Sequence, residues 1–183
     1  PYTTLFRSVT RTRLSEVDGE RGRLSIGGVE VGAPPDAPSF EALAERLLCL
    51  GKGEGKGEGP GKGAGLDDAS LSGPSRAGYE AARARFGAGR VRAFSRLGAS
   101  LGPARDELAM DSLRYALAGL PSDADDAEII GAVGVSAAAW MRRASGLGPI
   151  APDPDRSHAA DVLRMMTGHA PSFAEELALD GYL

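Results

Sequence analysis

Residues 146–183 read GLGPIAPDPDRSHAADVLRMMTGHAPSFAEELALDGYL, and this stretch decides the fold. The prolines between residues 148 and 155 exclude a helix in its first part. Gly168 is a typical stop for the helix that follows. Ser172 and Glu175 then have the spacing of a capping box, which predicts one more helix. The apolar faces of these two helices carry Ala159, Val162, Leu163 and Met166, and then Phe173 and Leu177.

The N-terminal part of the chain has a different pattern, typical of a β-hairpin or a bent extended arm. Between residues 11 and 31, aliphatic and β-branched residues flank the turn signal Asp18-Gly19. Gly27-Gly28 predicts either a bulge or a second turn. A proline-rich stretch ends this arm, and Ser39 caps a helix. The apolar face of that helix carries Phe40, Leu43, Ala44, Leu47 and Leu48.

The middle of the chain also predicts helices, and two glycines divide the first of them. We expect a break at Gly87 and Gly89, because glycine weakens a helix interior. The apolar face before the break carries Tyr79, Ala82 and Phe86, and the face after it carries Phe94, Leu97 and Leu101.

The next two helices meet at Pro121. The first has its apolar positions at Met110, Leu113, Leu117 and Leu120, and Pro121 ends it. Ser122 or Asp123 starts the second, and the acidic residues from 123 to 128 form its solvated first turns. The face of this helix that we expect to be buried carries Ile129, Ile130, Val133, Ala137, Trp140 and Met141.

These patterns together indicate a mainly α fold. About six or seven helices follow the short N-terminal β-arm. Strands and helices do not alternate, which disfavours a dinucleotide-binding fold.

The composition of the chain excludes several classes of protein. Its 183 residues are 42% hydrophobic, 25% charged and 5% aromatic, with a net charge of -4, which is typical of a globular domain. No apolar run is long enough for a membrane span. A mildly acidic chain lacks the basic surface that nucleic-acid binding requires. The single cysteine, Cys49, fits a reducing compartment, so we expect a cytoplasmic location.

Residues 51–65 read GKGEGKGEGPGKGAG, with glycine at every odd position. Such a segment cannot bury enough apolar area to offset its ordering entropy, which predicts a flexible linker. A phosphate-binding P-loop would need a glycine five residues before a Gly-Lys pair and a hydroxyl residue after it. No lysine of the segment meets both conditions, so the linker is the favoured interpretation.

The first eight residues, PYTTLFRS, do not resemble a signal peptide. They resemble the in-frame translation of a common sequencing-library adapter. We therefore interpret residues 1–8 as a non-native scar and residues 9–183 as the incomplete N-terminal part of a larger domain.

Several side chains are candidates for a catalytic or metal-binding role, and each also has a simpler structural explanation. His158 and Asp161 share a helical face, but two groups are too few for a metal site. Asp153 and Asp155 form a possible acid–base pair, although Asp155 or Ser157 more simply caps the next helix.

Cys49 and Trp140 have structural explanations too. Cys49 is expected to be a small buried hydrophobe rather than a nucleophile. Trp140 is expected to be a core anchor. From the residues alone we assign no catalytic, cofactor-binding or metal-binding residue.

The order of the motifs carries a resemblance to a known family. The segment from Thr12 to Leu24 resembles the opening β-arm of the citrate synthase family, and SFEALAERLL from Ser39 is similar to the helix that follows there. MDSLR, residues 110–114, resembles the family's Met-Asp-x-Leu-Arg, and residues 146–183 resemble a long continuous family block. Bacterial citrate and 2-methylcitrate synthase-like proteins are the most similar members.

The resemblance implies a mostly helical, two-domain, homodimeric acyltransferase of the tricarboxylic acid cycle, with residues 9–183 as the incomplete N-terminal part of its multi-helical large domain. Such enzymes condense acetyl-CoA, or another short acyl-CoA, with oxaloacetate, and they need no metal or redox cofactor. A catalytic Asp, an enol-stabilising His and carboxylate-binding Arg and His residues perform the chemistry. The family's first substrate-binding His lies in a His-x-Asp-His motif just beyond the helix that ends at Leu183, and the other groups follow it. None of these residues can be assigned to this sequence, and His158 matches a family position with no such role.

The sequence departs from the family in two places. Ile26-Gly27-Gly28-Val29 and the prolines after it replace an Arg-Gly-Tyr-like segment and an acidic helix. The segment 51–65 replaces another part of the family pattern. Both departures concern the N-terminal surface.

Three functional hypotheses follow. The first is an N-terminal portion of a condensing enzyme, inactive alone, with an exposed apolar patch. The second is a non-catalytic helical interaction module or partner subunit derived from the same fold, with a closed surface. The third, a phosphate-binding protein that uses residues 51–65, is the weakest.

Overall fold

The structure is a computed structural model that describes residues 14–32, 38–53, 76–98 and 108–183. Within these residues the chain is mainly helical behind a small antiparallel arm, which confirms the predicted fold class. The strands are β1 (Ser15–Asp18), β2 (Arg23–Ile26) and β3 (Val29–Glu30). The helices are α1 (Phe40–Gly53), α2 (Arg76–Leu97), α3 (Ala109–Ala118), α4 (Asp126–Ala144), α5 (His158–Thr167) and α6 (Phe173–Asp180).

The β-arm is a meander in the order β1-β2-β3, and its second connection is the turn at Gly27-Gly28. Ile26 pairs directly with Val29, and the two glycines have φ values of 58° and 79°. Only a two-residue turn with positive φ at both positions fits this register, so the second turn is confirmed and the bulge is not. Arg46 of α1 donates a hydrogen bond to the Gly27 carbonyl and so ties the arm to the helices.

The predicted break in the middle of α2 is wrong, because the helix runs without interruption from Arg76 to Leu97. Gly87 and Gly89 serve close packing instead. A Cβ atom on Gly87 would lie 2.1 Å from the Pro154 carbonyl oxygen, and one on Gly89 would lie 2.2 Å from the Ala127 oxygen. Glycine destabilises a helix interior, but a larger residue does not fit here because neighbouring backbone occupies the space of a side chain.

The face of α4 that turns towards the core consists mostly of small residues. Gly131 lies against the backbone of Gly89 and Arg90, and Gly134 lies against Val162 and His158. The prediction for the buried face of α4 is therefore wrong. Ile129, Val133 and Met141 are 43%, 41% and 46% exposed, and Ile130, Ala137 and Trp140 are only half-buried.

The start of α4 also differs from the prediction. Asp125, not Ser122 or Asp123, is the N-cap, and its side chain accepts from the backbone N–H of Glu128. This cap and the hydrogen bond from Arg92 keep the pKa of Asp125 below its ordinary value. The acidic first turn is not fully solvated, because Glu128 is buried and pairs with Arg96 at 2.8 Å.

The caps of the last two helices follow the sequence signals. Ser157 accepts from the N–H of Ala160, and α5 ends at Gly168 with a φ of 90°. Ser172 and Glu175 form the reciprocal capping box of α6. These hydrogen bonds to the Ser172 backbone and hydroxyl lower the pKa of Glu175. Phe173, however, is exposed rather than packed on the core.

The apolar core lies where α2, α3, α4 and α5 meet. The large contributors are Leu97, Val135, Val162 and Met165, and alanines fill the space between them. A second, smaller cluster joins α1 to α2 and α4 around Phe86.

Some predictions fall on residues that the structure does not describe. They concern residues 1–8, Leu101 on the apolar face predicted after the break, and most of the segment 51–65. Helix α1 extends through Gly53 and so includes the first three positions of that segment. Among the described helices, none combines the length and the apolar character needed to cross a bilayer.

Candidate functional site

A group of buried charged side chains surrounds Arg90 of α2, whose side chain is fully enclosed. Its Nε donates to Asp161 Oδ2 of α5 at 2.9 Å. One terminal nitrogen donates to the carbonyl oxygens of Arg156 at 2.9 Å and Asp153 at 3.3 Å. The other lies 3.4 Å from His158 Nδ1. The guanidinium thus holds α5 and the loop before it against α2.

Asp161 completes this network from the other side. Its carboxylate also accepts from Arg164 Nε at 3.0 Å and from the backbone N–H of Asp153 at 3.0 and 3.1 Å. A buried carboxylate with two arginines and a backbone donor has its hydrogen-bonding capacity occupied. The predicted neighbours His158 and Asp161 do lie in one cluster, but Asp161 serves ion pairing. No group of three metal-ligating side chains forms among the described residues.

His158 is buried beside Arg90 and stacks on Phe40 of α1, with ring centroids 4.8 Å apart. Burial, helped by the positive charge of Arg90, lowers the pKa of His158 to about 3. The ring is therefore neutral at physiological pH, and Nδ1 faces the Arg90 donor as an acceptor. A histidine in this state acts as a structural hydrogen-bond acceptor, not as a proton shuttle.

Glu41 of α1 also belongs to this cluster and is fully buried. Its Oε1 accepts from the backbone N–H of His158 at 2.6 Å and so supplements the Ser157 cap of α5. Its Oε2 is buried and finds no hydrogen-bond partner within the described part of the chain.

A second carboxylate group lies at the other end of this region, where α6 meets the start of α1. Asp180 accepts from the backbone N–H of Phe40, with both oxygens at 3.3 Å. Burial raises the pKa of Asp180, and the negative charges of Glu41 and Glu176 raise it further against the effect of the Phe40 hydrogen bond. Glu176 itself accepts from Ser157 Oγ at 2.6 Å.

The remaining sequence candidates have structural roles or none. Asp153 is paired with Arg156 at 3.0 Å. The N–H of Asp155 lowers the pKa of Asp153, so the two carboxylates do not form an acid–base pair. The prediction that Cys49 is buried is wrong, because it is exposed beside Glu45. Trp140 is half-buried rather than a core anchor.

The Arg90 network positions backbone rather than reacting groups. Arg90 and Arg164 neutralise Asp161, and Arg90 lines neither the cavity of the β-arm nor the cavity between the arm, α1 and α6. Sequence reasoning found His158 and Asp161 but missed Arg90 and Glu41, which are 68 and 117 residues from His158 in the chain. The available signal was an arginine directly after two closely spaced glycines in a helix.

Similar proteins are found by a family model and among solved structures. The sequence model of the family described as "Citrate synthase, C-terminal domain" matches residues 7–183. A citrate synthase structure from Pyrobaculum aerophilum is similar with a TM-score of 0.62 and 18% identity, over 95% of this chain and 44% of that one. The citrate synthase from Thermotoga maritima is similar with a TM-score of 0.60 and 18% identity, over 95% of this chain and 42% of that one. No curated protein sequence gives a significant match.

Proposed function

Because the chain belongs to the citrate synthase family, we propose that it forms the helical front portion of an enzyme that condenses a short acyl-CoA with oxaloacetate. The observation that carries this proposal is the family match over residues 7–183. The shared fold over 95% of this chain supports it. The chain spans less than half of the length of these two citrate synthases.

We further propose that the 183-residue chain does not catalyse the condensation by itself. The reaction needs a base near the acyl methyl group and cationic groups for a dianionic substrate. In the described residues, Arg90 and Arg164 are engaged by Asp161, and His158 is neutral and buried. In the β-arm, Arg21 and Arg23 are likewise paired with Asp18. The catalytic residues would then come from sequence outside these 183 residues.

The expected partner of the complete enzyme is a second copy of the same chain. Ile129, Val133 and Met141 share the outward face of α4, and Met110 of α3 is also exposed. An apolar face of this kind is typical of a surface that another subunit covers. It agrees with the hypothesis of an incomplete enzyme, which predicts an exposed patch, better than with a closed interaction module. We also propose a cytoplasmic location, on the single cysteine alone.

The decisive experiment extends the gene and assays both forms. We expect the reading frame beyond codon 183 to encode a His-x-Asp-His segment. The extended protein should release free CoA thiol from acetyl-CoA or propionyl-CoA with oxaloacetate, and the 183-residue chain should release none. A natural stop codon after Leu183, or an inactive extended protein, would count against the condensing enzyme. Turnover by the short chain would contradict only its inactivity.

The subunit interface has a separate test in the extended protein. Ile129→Asp should shift the sedimentation profile from dimer to monomer, because a charge on a buried apolar face opposes association. The matched control is Ala170→Asp, at an exposed loop position outside the face. If both variants stay dimeric, the subunits associate through another surface.

A further inference from the structure

A groove of about 310 Å³ runs between the β-arm, α1 and the end of α6, and we call it the arm groove. Its walls are mostly apolar, with Leu24 and Ile26 from β2 and Leu43 and Leu47 from α1. Among the described residues that line it, Asp180 is the acidic one. An open groove with aliphatic walls and a single carboxylate is suited to a ligand that has both apolar and cationic parts.

The carboxylate of Asp180 lines the groove, whereas those of Glu41 and Glu176 lie near Asp180 without lining the groove. Asp180, Glu41 and Glu176 lie near one another, and no lysine, arginine or histidine side chain forms an ion pair with any of them in the described ranges. Tyr79 lies close enough that burial, together with Glu41, Asp180 and Glu176, raises the pKa of its hydroxyl. A cation at this point would relieve the repulsion between these groups.

Other carboxylates near α2 do have cationic partners. Along α2, Arg85, Arg92 and Arg96 pair with carboxylates of α1 and of the start of α4. The buried carboxylates of Glu128 and Asp161 each have an arginine partner. Asp180 of the arm groove is an exception among the described residues, and it lies beside the apolar walls of the groove.

We propose that the arm groove binds a peptide segment of a partner protein in which one Lys or Arg is flanked by aliphatic side chains. The aliphatic side chains pack against Ile26, Leu43 and Leu47, and the cation pairs with Asp180. Neither feature alone selects this ligand. An alkyl group would leave the charge unmet, and a free cation would leave the apolar walls in water.

The proposal is independent of the condensation reaction, and it is tested on the 183-residue chain and on the extended protein, because Leu183 lines the groove. The probe is a fluorescein-labelled peptide of sequence GLVKLVG, and binding is followed by fluorescence polarisation. We expect saturable binding of this peptide and much weaker binding of GLVELVG, which reverses the charge. The peptide GSSKSSG, which keeps the cation and loses the aliphatic side chains, should also bind much more weakly.

Two variants locate the site. Asp180→Asn keeps an oxygen for the Phe40 N–H but removes the charge, so the Lys peptide should bind about fivefold more weakly, as expected for one partly buried ion pair. Leu47→Ser should weaken binding through the apolar wall. The control Asp155→Asn removes an exposed carboxylate away from the groove and should leave binding unchanged.

Three outcomes would overturn the proposal. One is no saturable binding of the Lys peptide to the folded chain. Another is equal binding of the Lys and Glu peptides. The third is concentration-dependent self-association that Asp180→Asn abolishes, since the occupant would then be a second copy of this chain.

Discussion

The contact of α2 with α4 and the junction of α6 with α1 both join segments distant in sequence, but they differ in packing and in charge pairing. Between α2 and α4, Gly89 and Gly131 bring backbones together, and the buried Arg90 beside them has Asp161 as its counter-charge. At the junction, Asp180 accepts from the first N–H of α1, no cation of the described residues pairs with it, and these residues leave a groove beside it. The chain completes the first contact by itself, whereas the second leaves room for a ligand.

The largest effect should come from breaking the charge balance of the first contact. Arg90→Met removes the guanidinium and leaves Asp161 buried with less compensation, so we expect a loss of about 3–5 kcal/mol in the free energy of unfolding. Urea denaturation followed by circular dichroism measures it. Arg164→Met, which removes the more exposed partner of the same carboxylate, is the control and should cost clearly less. Equal losses would show that the buried position of Arg90 is not what matters.

The next largest loss of stability should come from disturbing the close packing between α2 and α4. Gly89→Ala places a methyl group where the Ala127 carbonyl oxygen lies, so the helices must separate and we expect a loss of about 3 kcal/mol. Gly51→Ala makes the same change in α1 with nothing within 4 Å. It should stabilise the chain by up to about 1 kcal/mol, because alanine favours a helix over glycine. Opposite signs in thermal denaturation support the close-contact explanation, and equal signs contradict it.

The next effect depends on pH and concerns His158, which links the two regions. Its pKa is about 3 in the folded chain and 6.5 ordinarily, so the folded state resists protonation. Its contribution to stability is complete above pH 6.5 and is lost as the pH falls towards 3, at about 1.4 kcal/mol per pH unit for one group. His158→Gln keeps an acceptor for Arg90 but does not titrate.

The measurement is urea denaturation at several pH values from 7 to 4. We expect a shallower pH dependence of stability in His158→Gln than in the unmodified chain. The lowered pKa values of Asp125, Asp153 and Glu175 add a slope of the same sign in both proteins, which cancels in the comparison. Identical slopes would mean that His158 is protonated without penalty in the folded state.

The smallest effect should come from the junction and should have the opposite sign. Since the pKa of Asp180 is raised, its charged form is disfavoured in the folded chain, and stability increases as the pH falls through the folded value. Asp180→Asn should therefore stabilise the chain at pH 7. Solvent still screens this half-buried group, so the gain is less than about 1 kcal/mol. A destabilised variant would mean that the charge of Asp180 is needed to hold the start of α1.

The sequence predicted the helices best where a side chain caps its own backbone. Ser157, Gly168 and the Ser172–Glu175 pair act within a few residues, so local spacing is sufficient to find them. The uninterrupted α2 was missed because its glycines depend on Pro154 and Ala127, which lie far away in the chain. Local rules count only the cost of a glycine and not the close approach that it permits.

The same limitation explains the error about α4. Hydrophobicity ranks Ile129 and Val133 above Gly131 and Ala132, and so it selects the outward face as the buried one. The face that packs within the chain is chosen by how close α2 can come, and that favours small residues. For the charged cluster, spacing found His158 and Asp161, but the partners that define their role come from other helices.

The glycine contacts between α2 and α4 have one more consequence, which concerns volume. Where backbone atoms of two helices touch directly, little empty space remains between them. Hydrostatic pressure unfolds proteins by eliminating internal voids, so this interface contributes little to the volume decrease on unfolding. Under hydrostatic pressure, the contact between α2 and α4 should therefore open later than a contact of the same size that contains voids.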